Sequence, residues 1–252
     1  MTKYLSTAIK AAEVAAEIGM RYYGNKPKVE IKADQSPVTI ADREIEYAVI
    51  KTVSKVFPNH GFLGEETGLT NKDADFLWII DPIDGTKNFI DGIPLWGNLI
   101  ALMHNGEIIA GVSNIPAMGE LLWAEKGKGA FLNDKRVRVS KRNKLDQSSV
   151  SYGSLYAFKK AGKYRKVLTL IDSCKRQRCF GDCWPYHLLA AGKIDIVVES
   201  AINVYDIAPF DIIIREAGGK VSDLEGKKLS TSINGFLATN GQIHDSALNI
   251  VN

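Results

Sequence analysis

Sulfur is scarce in this chain. Of 252 residues three are cysteine, Cys174, Cys179 and Cys183, and an odd number in a chain this long argues against a disulfide scaffold. With His187 they spell C-x4-C-x3-C-x3-H, but the paired C-x-x-C knuckle of structural zinc is missing, so ordinary, partly buried thiols are expected. Long apolar runs are lacking too. None reaches the ~18 residues that a membrane-spanning helix needs. Nor is there an excess of one charge: Lys+Arg 32 against Asp+Glu 29 leaves +3, too balanced for a nucleic-acid-binding face. The most basic stretch, Lys135 to Lys144, reads as a solvated strand and loop. The N-terminus carries acids and no cleavage-site pattern, which fits an amphipathic helix and not a signal peptide. The expectation is a soluble cytoplasmic protein with neither nucleic acid nor membrane as partner.

What is present is a hydrophobic content of 45%, enough for one large domain or two closely packed ones. Residues 4–23 fit a first helix, with Leu5, Ile9, Ala12, Ala16 and Met20 near one face and Gly24 and Pro27 as stops. Residues 42–56 fit a second, with Ile45, Val49, Val53 and Val56 at helical spacing. Short strands are expected at 29–31 and 61–64. A β-rich stretch follows: 97–104 and 107–113 flank Asn105-Gly106, a strong hairpin signal, and 121–125, 129–132 and 136–140 continue it. The second half alternates: strand 148–152, helix 161–174, strand 177–180, helix 184–191, strand 194–199, helix 206–217, strands 219–223 and 235–239, and a last short helix. Strands alternating with helices imply a mostly parallel sheet covered on both faces. A boundary near 141–147 divides the chain into halves 1–143 and 144–252 of one compact unit. Neither repeats nor low-complexity segments occur.

The richest stretch is Phe76 to Phe89, FLWIIDPIDGTKNF. Phe76 to Asp81 reads as a buried strand that runs into two carboxylates, Asp81 and Asp84, across a proline turn. An acidic, Pro- and Gly-shaped loop at a strand's carboxyl end lies where ligands bind in open α/β folds. Two acids on a bent backbone, with the carbonyl of Ile83 between them, can grip a hard cation such as Mg²⁺, which takes oxygen ligands and bridges to phosphate. Metal-assisted phosphate chemistry is the first expectation. A hydrophobic strand ending in D-x-D-G-T would instead announce an aspartyl nucleophile. Here the spacing is D-x-x-D-G-T, which turns each carboxylate differently and counts against that reading.

Further acids sit beside turns or helix starts: Asp42, Glu65 with Glu66, and Asp206. Each has a plain reading alone. Asp42 and Asp206 suit the first turn of a helix, where the dipole favours an acid, and Glu65-Glu66 suits a solvated turn. Together, KADQSPVTIADREIE (32–46), GEE (64–66), WIIDPIDGTKNF (78–89), GKGAFLN (127–133) and YDIAPFDIIIREAGG (205–219) resemble the inositol monophosphatase superfamily of Mg²⁺-dependent phosphomonoesterases, from about Tyr4 to Asn240. The resemblance implies a mixed α/β, layered α-β-α-β-α sandwich, two or three Mg²⁺ per site, and a homodimer. It implies that Glu65, Asp81 and the Ile83 carbonyl hold a first metal, that Asp81, Asp84 and Asp206 hold a second, and that a weaker third again uses Glu65. It implies that Gly85 and Thr86 offer backbone N–H groups to the phosphate. Thr86 and Asp42, with Glu65 assisting, would orient and deprotonate the attacking water. The family's tryptophan before the last ligand is Tyr205 here. Independently of the family, five acids in one pocket repel by ~4 kcal/mol per pair at ~4 Å and an effective dielectric of 20, so a phosphate dianion needs cations to enter.

The resemblance implies a small phosphomonoester as substrate. Within the superfamily the chain most resembles histidinol-phosphate phosphatase of the bacterial and plant type, through DGTKNFIDGIPLWGNLIAL (84–102) and GDCWPYHLLAAGKIDIVVE (181–199). Asp182 and Glu199 are the acids placed to meet a substrate amine or imidazole. They would equally serve the hydroxyls of inositol, and Asp182 also suits a helix N-cap. Lys87 belongs to the loop or the phosphate field. Inositol monophosphate is the alternative substrate, with fructose bisphosphate, adenosine bisphosphate or broad specificity behind it. A non-catalytic binding or regulatory member is the alternative of another class, and the intact acid set and Thr86 argue against it.

Overall fold

The computed structural model describes residues 1–25, 29–31, 37–230 and 233–252. Pro27, expected to stop the first helix, and Lys32 to Ser36, the start of the first motif, lie outside these. In chain order the elements are α1 (Lys3–Tyr22), β1 (Val29–Ile31), β2 (Pro37–Thr39), α2 (Ile40–Ser54), β3 (Gly61–Gly64), β4 (Gly68–Thr70), β5 (Phe76–Asp84), α3 (Thr86–Asp91), β6 (Gly97–His104), β7 (Glu107–Ile115), β8 (Glu120–Glu125), β9 (Gly129–Leu132) and β10 (Lys135–Val137). After these come β11 (Ser149–Tyr152), α4 (Leu155–Lys160), α5 (Tyr164–Ser173), β12 (Arg176–Arg178), α6 (Trp184–Ala190), β13 (Ile196–Ser200), α7 (Val204–Glu216), β14 (Lys220–Ser222), β15 (Gly235–Thr239) and α8 (His244–Val251).

Two sheets result. The larger has eight strands in the order β10-β9-β8-β7-β6-β5-β3-β4 and is antiparallel except for β3 beside β5. The smaller has the order β12-β11-β13-β15-β14. It is not mostly parallel, as the alternation implied. β11 runs parallel to β12 and β13, but β15 is antiparallel to both β13 and β14. The alternating rule fails at α7, which feeds a β14–β15 pair in place of another parallel crossover.

Side-chain alternation along the strands stacks these sheets into layers. In β6, Ile100 and Leu102 face the α1–α2 layer with Trp78 and Ile80 of β5, while Leu99, Ala101 and Met103 face α6 and α7. In β13, Val197 faces α7, and Ile196 and Val198 face a third cluster with Phe158, Leu170 and Val251 of α4, α5 and α8. The order is α-β-α-β-α. α7 is the central layer and is buried nearly all round, through Ile207, Ala208, Phe210, Ile212, Ile213 and Ile214. It approaches so closely that a Cβ on Gly111 of β7 would sit 2.7 Å from the Pro209 carbonyl.

Local departures from the expectations have identifiable causes. The buried face of α1 is Leu5, Ala8, Ala11, Ala12, Ala15 and Ile18, while Met20 is exposed. Of the expected face Leu5 and Ala12 are buried and Ile9 and Ala16 half-buried; the contact with α2 and β7 selects the small residues Ala8, Ala11 and Ala15 beside them. The helix expected over 161–174 is present as α5, and a short α4 that the sequence did not announce precedes it, the two parted at Gly162 with φ +71°. Strands β2 and β4 and helix α3 are too short to show periodicity. The hairpin at Asn105-Gly106 is present, with φ +51° and +75° as a type I′ turn requires. Among the described residues no helix is long and apolar enough to cross a membrane. The three thiols are free, Cys174 and Cys183 buried and Cys179 exposed.

Candidate active site

The site grows from the carboxyl end of β5. The strand does not stop at Asp81; it continues through Pro82 and Ile83 to Asp84. In a regular strand, residues three apart point to opposite faces. Here the pairing with β6 slips between Asp81–Leu99 and Asp84–Gly97. Such a bulge re-aims side chains, and Asp81 and Asp84 act on one another as neighbouring charges. The Ile83 side chain is buried in the α1–α2 core, which fixes its carbonyl, and that carbonyl accepts the Thr86 hydroxyl at 3.0 Å. Gly85 turns the chain with φ +80° into α3, whose first residue is Thr86. A Cβ on Gly85 would meet the Leu95 carbonyl at 2.8 Å and the Asp182 carboxyl at 3.2 Å.

Three other elements deliver acids to the same place. β3 runs parallel to β5 with Gly64 opposite Ile80, and Glu65 follows it, its N–H donating to the Ile80 carbonyl at 3.2 Å. The Glu65 and Asp81 side chains are hydrogen-bonded. Asp42 is the third residue of α2, buried, and accepts the Thr39 N–H at 2.8 Å and the Thr39 hydroxyl at 2.7 Å. Asp206 is the third residue of α7 and accepts the Asn203 N–H at 2.7 Å. These hydrogen bonds bear out the helix-start reading of both acids.

Asp182 and Glu199 join from the second half. Asp182 is not an N-cap: the cap of α6 is Cys183, which makes no side-chain capping bond. With φ +49° Asp182 turns inward, and its Oδ2 accepts the Asn88 amide at 2.6 Å. Asp84, Asp182, Glu199 and Asp206 line one cleft of about 390 Å³ together with Tyr186, Ser200, Gly153 and Ser154. No described residue of that lining is basic. The exposed Lys87 acts on Asp182 through its charge.

Crowding acids into a poorly hydrated place disfavours their charge. Burial, then the charges of Glu65, Asp84 and Asp206, push the Asp81 carboxyl well above its usual range. Burial, then Asp182, Asp206 and Glu199, do the same to Asp84. Burial lifts Asp206 to about 7 and Glu199 to about 8, each with help from Asp182. Burial lifts Asp182 to about 6, against the pull of Lys87. Burial lifts Asp42 to about 6, the Thr39 hydrogen bonds opposing and Glu66 and Glu65 adding to it.

Among the described residues no three His, Cys, Asp or Glu side chains are grouped to hold a metal ion as they stand. The chemistry of the acid set nevertheless fits a hard cation. Every donor is oxygen, and Asp81 Oδ1 and Asp84 Oδ2 are buried without a hydrogen-bond partner. Buried acceptors of this kind are costly unless something positive meets them.

Sequence reasoning missed three residues. Glu46, fully buried on α2, holds the turn that carries Glu65; its signal was the stripe 42, 46, 49 and 53, which puts an acid on the buried helix face. Tyr186 and Ser200 place buried hydroxyls without partners in the cleft wall. Nothing local marks these two, because their burial is a product of packing.

The sequence profile of the inositol monophosphatase family matches residues 1–252. The chain is 37% identical to the histidinol-phosphatase of Mycobacterium tuberculosis, covering 98% of this chain and 97% of that one. It is also 37% identical to the fructose-1,6-bisphosphatase/inositol-1-monophosphatase of Thermotoga maritima, covering 98% and 95%. The crystal structure of the extragenic suppressor protein suhB from Bartonella henselae superposes with a TM-score of 0.92 at 32% identity, over 100% of this chain and 99% of that one.

Proposed function

The chain belongs to the inositol monophosphatase family of phosphatases, and on that premise we propose that it is a Mg²⁺-dependent phosphomonoesterase whose preferred substrate is histidinol phosphate. The observation that carries the substrate is the lining of the cleft: four carboxylates and no basic side chain among its described residues. A second phosphate, as in fructose or adenosine bisphosphate, would ask for a cation there. An alcohol bearing an amine and an imidazole asks for acids, and Asp182 and Glu199 are acids outside the proposed metal-holding set. The two relatives of equal identity carry different substrates in their names, so overall identity does not decide the matter.

Glu65, Asp81, the Ile83 carbonyl, Asp84 and Asp206 would hold two or three Mg²⁺. When bound, these ions supply the positive charge that offsets the cluster, polarise phosphoryl oxygens and acidify water. The chain's own groups do the rest. Backbone N–H groups of Gly85 and Thr86 bind the phosphate at the start of α3. The Thr86 hydroxyl, held to the Ile83 carbonyl, orients the attacking water. Asp42 accepts a proton from that water, assisted by Glu65; a carboxyl near 6 is suited to a base working at neutral pH. Glu199 and Asp182 orient the alcohol. No serine, cysteine or histidine nucleophile is needed: water attacks phosphorus directly as the P–O bond to the alcohol breaks, and the leaving alkoxide takes a proton from solvent.

The test is parallel turnover of histidinol phosphate, inositol-1-phosphate, fructose 1,6-bisphosphate and p-nitrophenyl phosphate, with Mg²⁺ and with EDTA. The expected result is the highest kcat/KM on histidinol phosphate and no phosphate release in EDTA. A higher kcat/KM on inositol-1-phosphate would move the substrate. Undiminished turnover in EDTA would overturn the metal dependence.

A further inference from the structure

Glu46 lies beside the site yet has no task in the chemistry above. It follows Asp42 by one helical turn, so the two side chains share a face of α2, and it is fully buried. A buried carboxylate is costly without a charged partner. None of the ion pairs among the described residues includes Glu46. Its oxygens turn instead to backbone. Oε2 accepts the Glu66 N–H at 3.0 Å and Oε1 accepts the Thr67 N–H at 2.8 Å. The carboxyl group also lies against Gly64, where a Cβ would come within 2.4 Å of it. From the other side the Glu65 N–H is held by the carbonyl of Ile80, the residue before Asp81. Three consecutive N–H groups, those of Glu65, Glu66 and Thr67, are therefore fixed, one by β5 and two by α2.

We infer that Glu46 is a positioning residue: its carboxylate sets Glu65 against Asp42 on the same helix and Asp81 on β5, and so governs the affinity of the acid cluster for Mg²⁺. The inference rests on the reading of Glu65, Asp42 and Asp81 as metal- and water-binding groups. The side chain must be glutamate because two N–H donors need two acceptors. Glutamine offers one acceptor and sets an amide N–H₂ against the other donor, and aspartate is a methylene too short.

The test is calorimetric titration of Mg²⁺ into metal-free wild type, Glu46→Gln and Gly64→Ala, well below the melting temperature of each. Groups that hold a metal site from behind its ligands contribute about 10- to 100-fold in affinity. Glu46→Gln should weaken Mg²⁺ binding by about ten-fold or more, with a matching rise in the Mg²⁺ concentration for half-maximal turnover. The KM for histidinol phosphate at saturating Mg²⁺ should stay within about two-fold, because the substrate contacts are untouched. If Glu46→Gln does not fold, Gly64→Ala takes its place, since it crowds the same carboxylate from the loop side. Wild-type binding with an unchanged constant in the folded variant overturns the inference and leaves the phosphatase reading standing. A wild type that does not bind Mg²⁺ overturns that reading and the inference with it.

Discussion

Asp42 and Asp206 hold the same position in two helices from opposite ends of the chain. Each is the third residue of its helix, and each accepts through Oδ2 the N–H of the residue before the helix, Thr39 at 2.8 Å and Asn203 at 2.7 Å. One oxygen of each carboxylate is thereby tied to backbone, which fixes the rotamer before any ligand arrives. Orientation of this kind is what a preorganised site requires.

Asp81→Asn should leave less than about a tenth of wild-type turnover at saturating Mg²⁺, because the residue is assigned to two metals at once. The same variant should be more stable than wild type without metal. It removes a buried charge pressed by Glu65, Asp84 and Asp206. A gain of about 1 kcal/mol corresponds to roughly 2–4 °C in Tm for a chain of this size. Thermal melts in EDTA at pH 8 read the second effect, and a lower Tm would contradict the crowding of these acids.

Metal-free protein should lose stability as pH rises from 6.5 to 8.5. Asp206 titrates near 7 and Glu199 near 8 when folded, against ~3.9 and ~4.3 unfolded. Between those values the folded state keeps protons that the unfolded state has released, so stability falls with each step of pH. His244 works the other way, because burial lowers it to about 4 and the unfolded state binds its proton between there and ~6.5. The window above 6.5 avoids it. Glu199→Gln should make the decline between pH 7 and 8.5 shallower, read as Tm in EDTA, with the share of the raised Asp81 and Asp84 carboxyls remaining. A flat wild-type profile would show the acids to be better solvated than their burial implies.

Glu199→Gln should also lower kcat/KM for histidinol phosphate by roughly ten- to a hundred-fold, the worth of a charge-assisted contact of ~1.5–3 kcal/mol. Turnover of p-nitrophenyl phosphate, which lacks an amine and an imidazole, should change far less. Equal losses on both substrates would assign Glu199 a structural role.

Tyr186→Phe should raise Tm. The Tyr186 ring is fixed by stacking on Phe210, centroids 4.2 Å apart, and its buried hydroxyl has no partner. An unsatisfied group of this kind costs about 1–3 kcal/mol, which phenylalanine relieves. A fall in Tm on removing the hydroxyl would mean that it is hydrogen-bonded in the folded protein.

Asp42, Glu65, Asp81, Asp84 and Asp206 were legible because each announces itself locally. Asp81 and Asp84 end an apolar strand at Pro-Ile, Asp42 and Asp206 open helices, and Glu65 follows a short strand. The hairpin at Asn105-Gly106 and the face of α2 were legible for the same reason: turn chemistry and a 3.6-residue period are properties of neighbours in sequence.

Other features depend on which elements meet. That Asp81 and Asp84 share a side of β5 follows from a bulge against β6, and the strand's own alternation would have parted them. That Asp182 faces the cleft follows from a left-handed turn held by Asn88, and that Glu46 steadies Glu65 follows from α2 lying against the turn after β3. By itself, then, the sequence determined the acids, their order, the helix starts and strand ends that carry them, and the family they resemble, because local backbone preference and side-chain period encode those. The tertiary structure decided the mixed direction of the smaller sheet, the Ala-rich face of α1 and the convergence of acids from both halves, because packing and strand pairing join residues that no local pattern connects.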